Sequence, residues 1–416
     1  MLAILCLIMV ACNIPLIFLA KRNIGKTFYP INYNIMLMAI SAIPGSFVIA
    51  LYPTIYFNKI INFSRYAEIE WFVFGILIYS LFILYIFSFF QSQKINPQIY
   101  HIKYPIFMFF IMGFITILLL LRIQILLDIN STSLTYKFLL YRTKVNEFER
   151  GLIYFLRYLF IDCVGWIIAL SIMQNERLHK SQKLYILMMS VYFIFSFTKS
   201  KIVFFALSLW IVRNRFNDFN LVTLLKTSLT MIGALLLIWY LLVDFDSLEY
   251  LYDPTKEGLI ARIVISEISA LYAHIAYFSD LESLGFSSIS GSLSALFGLP
   301  NNPRSGEIIM QVLNPSWVER GLSGTFNTHF TGEAFANFSY AGLFLSPFVV
   351  GFSFIFYNKL IKILSSREHF PMMLFLTFNL NVMAGFNNFI YFPFFVLSLL
   401  VFLFIKLMRQ SYALQR

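Results

Sequence analysis

The sequence predicts an all-α polytopic membrane protein of about eleven transmembrane helices. Three observations predict it. Of the 416 residues, 59% are hydrophobic, only 12% carry charge, and apolar stretches of membrane-crossing length recur along the chain. A soluble domain is about 45–50% apolar and about 25% charged. This chain therefore has too little polar surface to coat a globule in water. That excludes a cytosolic enzyme, a disordered chain and a secreted disulfide scaffold. A lipid solvent removes the conflict, because the outer surface can then stay apolar.

A helix needs about 20 apolar residues to cross the hydrocarbon. Candidate spans run over roughly 1–20, 31–52, 71–90, 105–127, 151–173, 184–197, 202–212, 227–243, 331–357, 371–386 and 389–408. The first lacks a basic leading region and is followed by Lys21-Arg22, so it reads as a retained anchor. The whole chain, 1–416, reads as a single membrane domain. Cys6, Cys12 and Cys163 all lie in apolar stretches without a C-x-x-C spacing, which gives no support to a disulfide or zinc site.

Loop charge sets the orientation. With the N-terminus outside, the inner loops hold seventeen Lys and Arg against three acidic residues, Glu176, Asp218 and Glu368. Positive charge stays on the cytoplasmic side during insertion, so the C-terminus is placed in the cytoplasm. The net charge of +11 is accounted for in the same way, and nucleic acid is not needed to explain it.

The stretch 184–212 tests this parity. Read as one helix it would place Lys199 and Lys201 at mid-depth and send three later basic clusters outside. Read as a hairpin, its arms measure about 17–21 Å at 1.5 Å per residue. Such arms are shorter than the hydrocarbon core, so the Thr198-Lys199-Ser200-Lys201 tip is expected within the protein, below the outer surface. A lysine buried there is a functional-site hypothesis by default.

Two outer segments exceed simple connections, 128–150 and 244–327. The second contains apolar runs at 263–278 and 287–299, with Pro300, Pro303 and Pro315 as breaks. It is expected to form two or three short helices over the outer face. Loops this long are usually functional when they are not disordered.

The chemistry narrows by elimination. A phosphate-binding G-x-x-x-x-G-K-[ST] loop, an H-E-x-x-H pair and a G-x-S-x-G elbow are all missing, so no nucleotide, metal or other cofactor is indicated. The acidic pairs Glu68/Glu70 and Asp244/Asp246 match a metal site only weakly and read as solvated loop edges. What remains is a set of outer-face cations: Lys199, Lys201, Arg142, Arg150, Arg262, Arg304 and Arg320, with Arg157 two turns into its span. Guanidinium and ammonium groups are natural ligands of phosphate and pyrophosphate. The competing reading pairs these cations with outer carboxylates, and Arg157 in particular with Asp162. A second feature is N-T-H-F-T-G-E-A-F-A-N-F-S-Y-A-G at 327–342, where His329, Glu333 and Asn337 recur every four residues and share one helix stripe. Asn327 would cap that helix. A neutral-range histidine at the outer rim suits a general base. The alternative is a polar stripe that orders helix packing.

Taken together, these residues resemble a Wzy-type O-antigen (oligosaccharide repeat unit) polymerase. The likeness rests on four features besides size and span count. The Thr198–Lys201 tip resembles a T-G-S-R turn, with lysine where arginine is common. The large late outer loop carries scattered arginines. Thr328-His329, then Gly332-Glu333-Ala334-Phe335-Ala336-Asn337-Phe338 and Gly342, resembles a G-E-x-x-x-N-F-G-x-x-G pattern, with Ser339 where glycine is usual. Arg150-Gly151 enters span five. The resemblance implies a GT-C-like glycosyltransferase without metal. It would join undecaprenyl-pyrophosphate-linked glycans at the outer face of the bacterial inner membrane, building O-antigen or capsular polysaccharide. Under it, Lys199, Lys201, Arg262 and Arg304 would bind pyrophosphate, with Arg142, Arg150 and Arg320 as secondary contacts. His329 would be the base and Glu333 its orienting partner or substitute. Whether a chain-length regulator or a flippase binds is left open. A ligase that transfers finished polymer, and a transporter of lipid-linked glycan, are the rival readings.

Overall fold

The computed structural model describes residues 30–51, 66–90, 104–129, 134–175, 177–196, 199–213, 267–289, 298–300, 302–313, 315, 328–364, 368–382 and 385–414. The predicted spans 1–20 and 227–243, with Arg262 and Arg320, lie outside these residues. Among the described residues all regular structure is helical. Five helices are long and apolar enough to cross a membrane: Trp71–Phe90, Pro105–Leu127, Leu152–Met173, Phe330–Leu364 and Phe386–Met408. The chain divides into two compact units, each assembled from separate stretches.

The first unit comprises Met1–Lys94, Phe245–Tyr357 and Asn379–Phe392. Its helices begin with α1 (Pro30–Leu37), a π-helical turn (Met38–Ala42) and α2 (Ile43–Leu51), followed by α3 (Tyr66–Phe90). The late loop supplies α10 (Glu267–Phe278), a 3-10 turn (Gly285–Ser288) and α11 (Ser305–Leu313). Then come most of α12 (Phe330–Leu364) and the short α14 (Phe386–Ile390). On α3 one side is buried at Val73, Ile76, Leu77 and Leu84, while Trp71, Ile78, Phe82, Phe89 and Phe90 stand exposed. A large apolar face left open is what lipid as solvent permits.

The second unit comprises Ile95–Asp244, Asn358–Phe378 and Pro393–Arg416. It holds α4 (Pro105–Leu127), α5 (Leu134–Phe148), and one continuous span made of α6 (Leu152–Leu156), a π-helical segment (Arg157–Gly165) and α7 (Trp166–Met173). It continues with α8 (Lys180–Phe195), α9 (Lys199–Arg213), α13 (His369–Asn379) and α15 (Pro393–Leu414). Trp166 is its aromatic centre. Its indole N–H donates to Ser208 Oγ at 3.0 Å, and its ring meets Phe193, Phe205 and Phe375 at 5.3–5.6 Å. On α4 the buried stripe Met108, Ile111, Met112, Ile115, Leu118, Leu119 continues at helical spacing into Arg122.

Two predicted spans change on inspection. The stretch 371–386 is not one helix. α13 ends at Asn379, α14 starts at Phe386, and Gly385 turns the chain at φ 83°. Residues 371–376 and 378 of α13 are buried, as in a core helix. The long helix predicted over 331–357 is broken. Phe338 (φ −134°, ψ 16°) and Ser339 (φ 52°, ψ −143°) leave helical geometry, so two helices meet at that point. Among the described residues Ser339 is the one non-glycine residue with positive φ. This backbone region suits glycine, and a side chain there costs about 1–3 kcal/mol. Ser339→Gly is therefore expected to raise the thermal unfolding midpoint of the detergent-solubilised protein, by the equivalent of about 1 kcal/mol. An unchanged or lower midpoint would remove the strain assignment.

Candidate functional site

In the second unit, α5 ends at Phe148 and Gly151 reverses the chain with φ 68°, directing it into the span at Leu152. This turn holds Glu149 over the next helix. The first turns of that span are α-helical, but Arg157–Gly165 is π-helical. On an α-helix, residues five apart face roughly 140° away from each other. The i to i+5 bonding of a π-helix brings them onto nearly one side. Arg157 and Asp162 are such a pair, and each is drawn to a different neighbour.

Glu149 is 1% exposed and accepts from two arginines. Arg122 approaches it as a fork, Nε to Oε1 at 2.8 Å and Nη2 to Oε2 at 3.1 Å. Arg157 Nη1 closes on Oε2 from the other side. Asp162 instead accepts from Lys201 Nζ at 2.7 Å. The expected Arg157–Asp162 pair is thus corrected: Arg157 binds Glu149, and Asp162 is the partner of Lys201. Arg122 also lies 4.7 Å over the Tyr192 ring, and Lys201 lies 5.3 Å over that of Tyr158. Three cations against two carboxylates leave the cluster with one net positive charge. Buried ionic groups are tolerated only when paired in this way.

Arg122, Arg157 and Lys201 line one cavity of about 90 Å³, with Tyr141, Val145, Asn146, Tyr192 and Ser196 completing its wall. Tyr141 donates to the Phe195 carbonyl at 2.8 Å. Burial pushes its phenol up to about 12, against the opposing pull of Arg122, so it stays a neutral donor. Lys199 opens α9, where its side chain is outside the description, as is that of Arg142 on α5. Arg150 is exposed and does not line the cavity.

In the first unit the 329–337 stripe meets two distant segments. Glu333 accepts from the Asn387 amide at 2.8 Å, at the start of α14. Gly385 lets the carboxylate in, since a Cβ there would stand 2.4 Å from Glu333 Oε2. Asn337 Nδ2 donates to Asn387 Oδ1 at 2.7 Å, and Ser288 Oγ bonds Asn337 Oδ1 at 2.6 Å. Asn387 Nδ2 donates to the Ser288 carbonyl at 2.9 Å and closes the ring. Arg304 Nη2 lies 3.5 Å from Asn388 Oδ1, and its charge acts on Glu333. Glu333 therefore holds the 385–388 turn and does not orient His329. The reason is local: His329 precedes the first helical residue, and its Nδ1 meets Thr331 Oγ1 at 2.7 Å. Among the described residues, His329 Nε2 and Thr328 Oγ1 have no hydrogen-bond partner. His329 is fully buried, and burial drives its imidazole down to about 3, so it is neutral at ordinary pH.

Of the predicted site residues, Lys201 joins a cluster in the second unit, and Arg304, Glu333 and His329 lie in the first. Arg122, Glu149 and Tyr192 were not among the predicted residues. One signal could have found Arg122, the lone charge in the apolar run 105–127.

The five apolar helices of membrane-crossing length define a helical membrane protein. In comparisons with protein-family models, curated proteins and solved structures, nothing matches this chain.

Proposed function

We propose that the chain is a lipid-linked oligosaccharide polymerase. It joins undecaprenyl-pyrophosphate-linked repeat units at the outer face of the inner membrane. The observation that carries this reading is the cavity shared by Arg122, Arg157 and Lys201. A transferase whose leaving group is a pyrophosphate needs fixed cations where negative charge develops. The acceptor hydroxyl of one repeat unit attacks the anomeric carbon of the growing chain. The carbon–oxygen bond to pyrophosphate breaks, and the lipid pyrophosphate leaves with the electron pair. The hydroxyl proton must pass to a base, the role that the resemblance gives to His329. The resemblance at Thr198–Lys201 and at 328–342 supports the same reading.

The test is gel analysis of surface polysaccharide. A deletion strain should carry single repeat units only, and the intact gene should restore the ladder. His329→Ala should insert normally yet give no long chains. A normal ladder in the deletion strain would overturn the reading. Accumulation of full-length lipid-linked polymer would replace it with a ligase.

A further inference from the structure

The cavity of the second unit has donors that its internal ion pairs leave unused. Arg122 is 2% exposed and lines the cavity, and its Nη1 has no partner among the described residues. Arg157 Nε is likewise unpartnered. Lys201 Nζ has three donors and gives one to Asp162. Unpaired N–H groups on buried guanidiniums are costly, and native structures rarely leave them without a ligand or water. We propose that this cavity is an oxyanion pocket for one phosphoryl-sized group, with Arg122 as its most buried donor and Glu149 as the residue that positions both arginines.

Size and charge agree. A cavity of about 90 Å³ has room for several waters or for one tetrahedral oxyanion. The two carboxylates are not cavity-lining residues, whereas all three cations are. Glu149 occupies Nε and Nη2 of Arg122 and Nη1 of Arg157; Nη1 of Arg122 and Nε of Arg157 are left without a partner among the described residues, as is Oδ1 of Asp162. The pocket deepens the polymerase reading and rests on it for the source of the anion: the phosphoryl group nearest the lipid would be the part gripped here. A free phosphate offers the same chemistry.

The test uses the purified full chain in detergent, titrated calorimetrically with inorganic phosphate, farnesyl phosphate and farnesol. Farnesyl phosphate should bind and farnesol should not. Tighter binding of farnesyl phosphate than of inorganic phosphate assigns the pocket to a lipid headgroup, and equal binding assigns it to free phosphate. The variant pair R122Q/E149Q leaves the net charge of the cluster unchanged, so it isolates the donors from the field. It should weaken phosphate binding at least about tenfold, one charged hydrogen bond's worth. If that variant does not fold, K201Q/D162N makes the same charge-neutral change. Failure of both phosphate probes to bind the wild type, or unchanged affinity in a folded charge-neutral variant, overturns the pocket. Polymer ladders from the same cells separate the two claims. Binding with normal ladders in the deletion strain refutes the polymerase alone, and lost ladders without binding refute the pocket alone.

Discussion

Glu149→Ala is expected to lower the stability of the detergent-solubilised protein by about 3–5 kcal/mol, the cost of breaking a buried pair from one side. Its carboxylate holds two guanidiniums that are 2% and 11% exposed. When the carboxylate is removed, the water that their shared cavity can hold is a weaker substitute for a charged partner. Asp162 can offset the loss only in part, because its Oδ2 is already held by Lys201 at 2.7 Å and Oδ1 alone is unengaged. Removing Arg122 and Glu149 together, as Arg122→Met with Glu149→Leu, should cost less than Glu149→Ala alone, because one guanidinium, that of Arg157, is then orphaned instead of two. Thermal unfolding of the three proteins measures this. A Glu149→Ala variant within about 1 kcal/mol of wild type would mean that water or another carboxylate reaches the arginines, and the pair would lose its structural role.

Hydropathy made the long spans legible. The predicted stretches 71–90, 105–127 and 151–173 coincide with helices of the same extent, because a backbone in lipid must satisfy its own hydrogen bonds and only a full-length helix does so. The same signal misread 371–386. A core helix and a membrane span have similar composition, and only length separates them: α13 has 11 residues before the chain breaks at Asn379. The stripe His329, Glu333, Asn337 was visible from its spacing, but its partners were not. Ser288 lies 49 residues before Asn337, and Asn387 lies 54 after Glu333. No local pattern links them. For the same reason Arg122 and Glu149, 27 residues apart, could not be paired from sequence. The π-helical geometry of Arg157–Gly165 also leaves no mark on composition or periodicity.

The departures from helix geometry concentrate where the sequence is most distinctive. Gly332, Glu333, Asn337, Ser339 and Gly342 each answer a separate constraint. A Cβ at Gly332 would overlap the Thr328 hydroxyl, Glu333 and Asn337 tie down α14 and the Ser288 turn, and Ser339 takes the left-handed conformation. The spacing in this segment thus has a structural cause independent of any chemistry at His329. A polar stripe that orders packing and a reactive histidine are compatible, because the bonds of Glu333 and Asn337 leave His329 Nε2 unused.

Gly342→Ala should be the most damaging of the glycine substitutions in this segment. After the break at Phe338–Ser339 the chain passes so close to the preceding helix that a Cβ at position 342 would stand 2.6 Å from the Ala334 carbonyl carbon and closer still to its oxygen. In an unbroken helix these positions would be about 12 Å apart along the axis. The close approach therefore exists only because of the break. The obstacle is backbone, which cannot rotate away as a side chain can, so either the break or α12 must move. Overpacking of this kind costs about 3 kcal/mol or more. Gly113→Ala provides the contrast, since Gly113 is exposed on α4 and a Cβ there meets nothing within 4 Å. It should be neutral or slightly stabilising, as alanine favours helix by up to about 1 kcal/mol over glycine. Size-exclusion profiles and unfolding midpoints of the two variants decide the matter. Equal behaviour would mean that the backbones at Ala334 and Gly342 do not touch, and the broken-helix geometry would have to be abandoned.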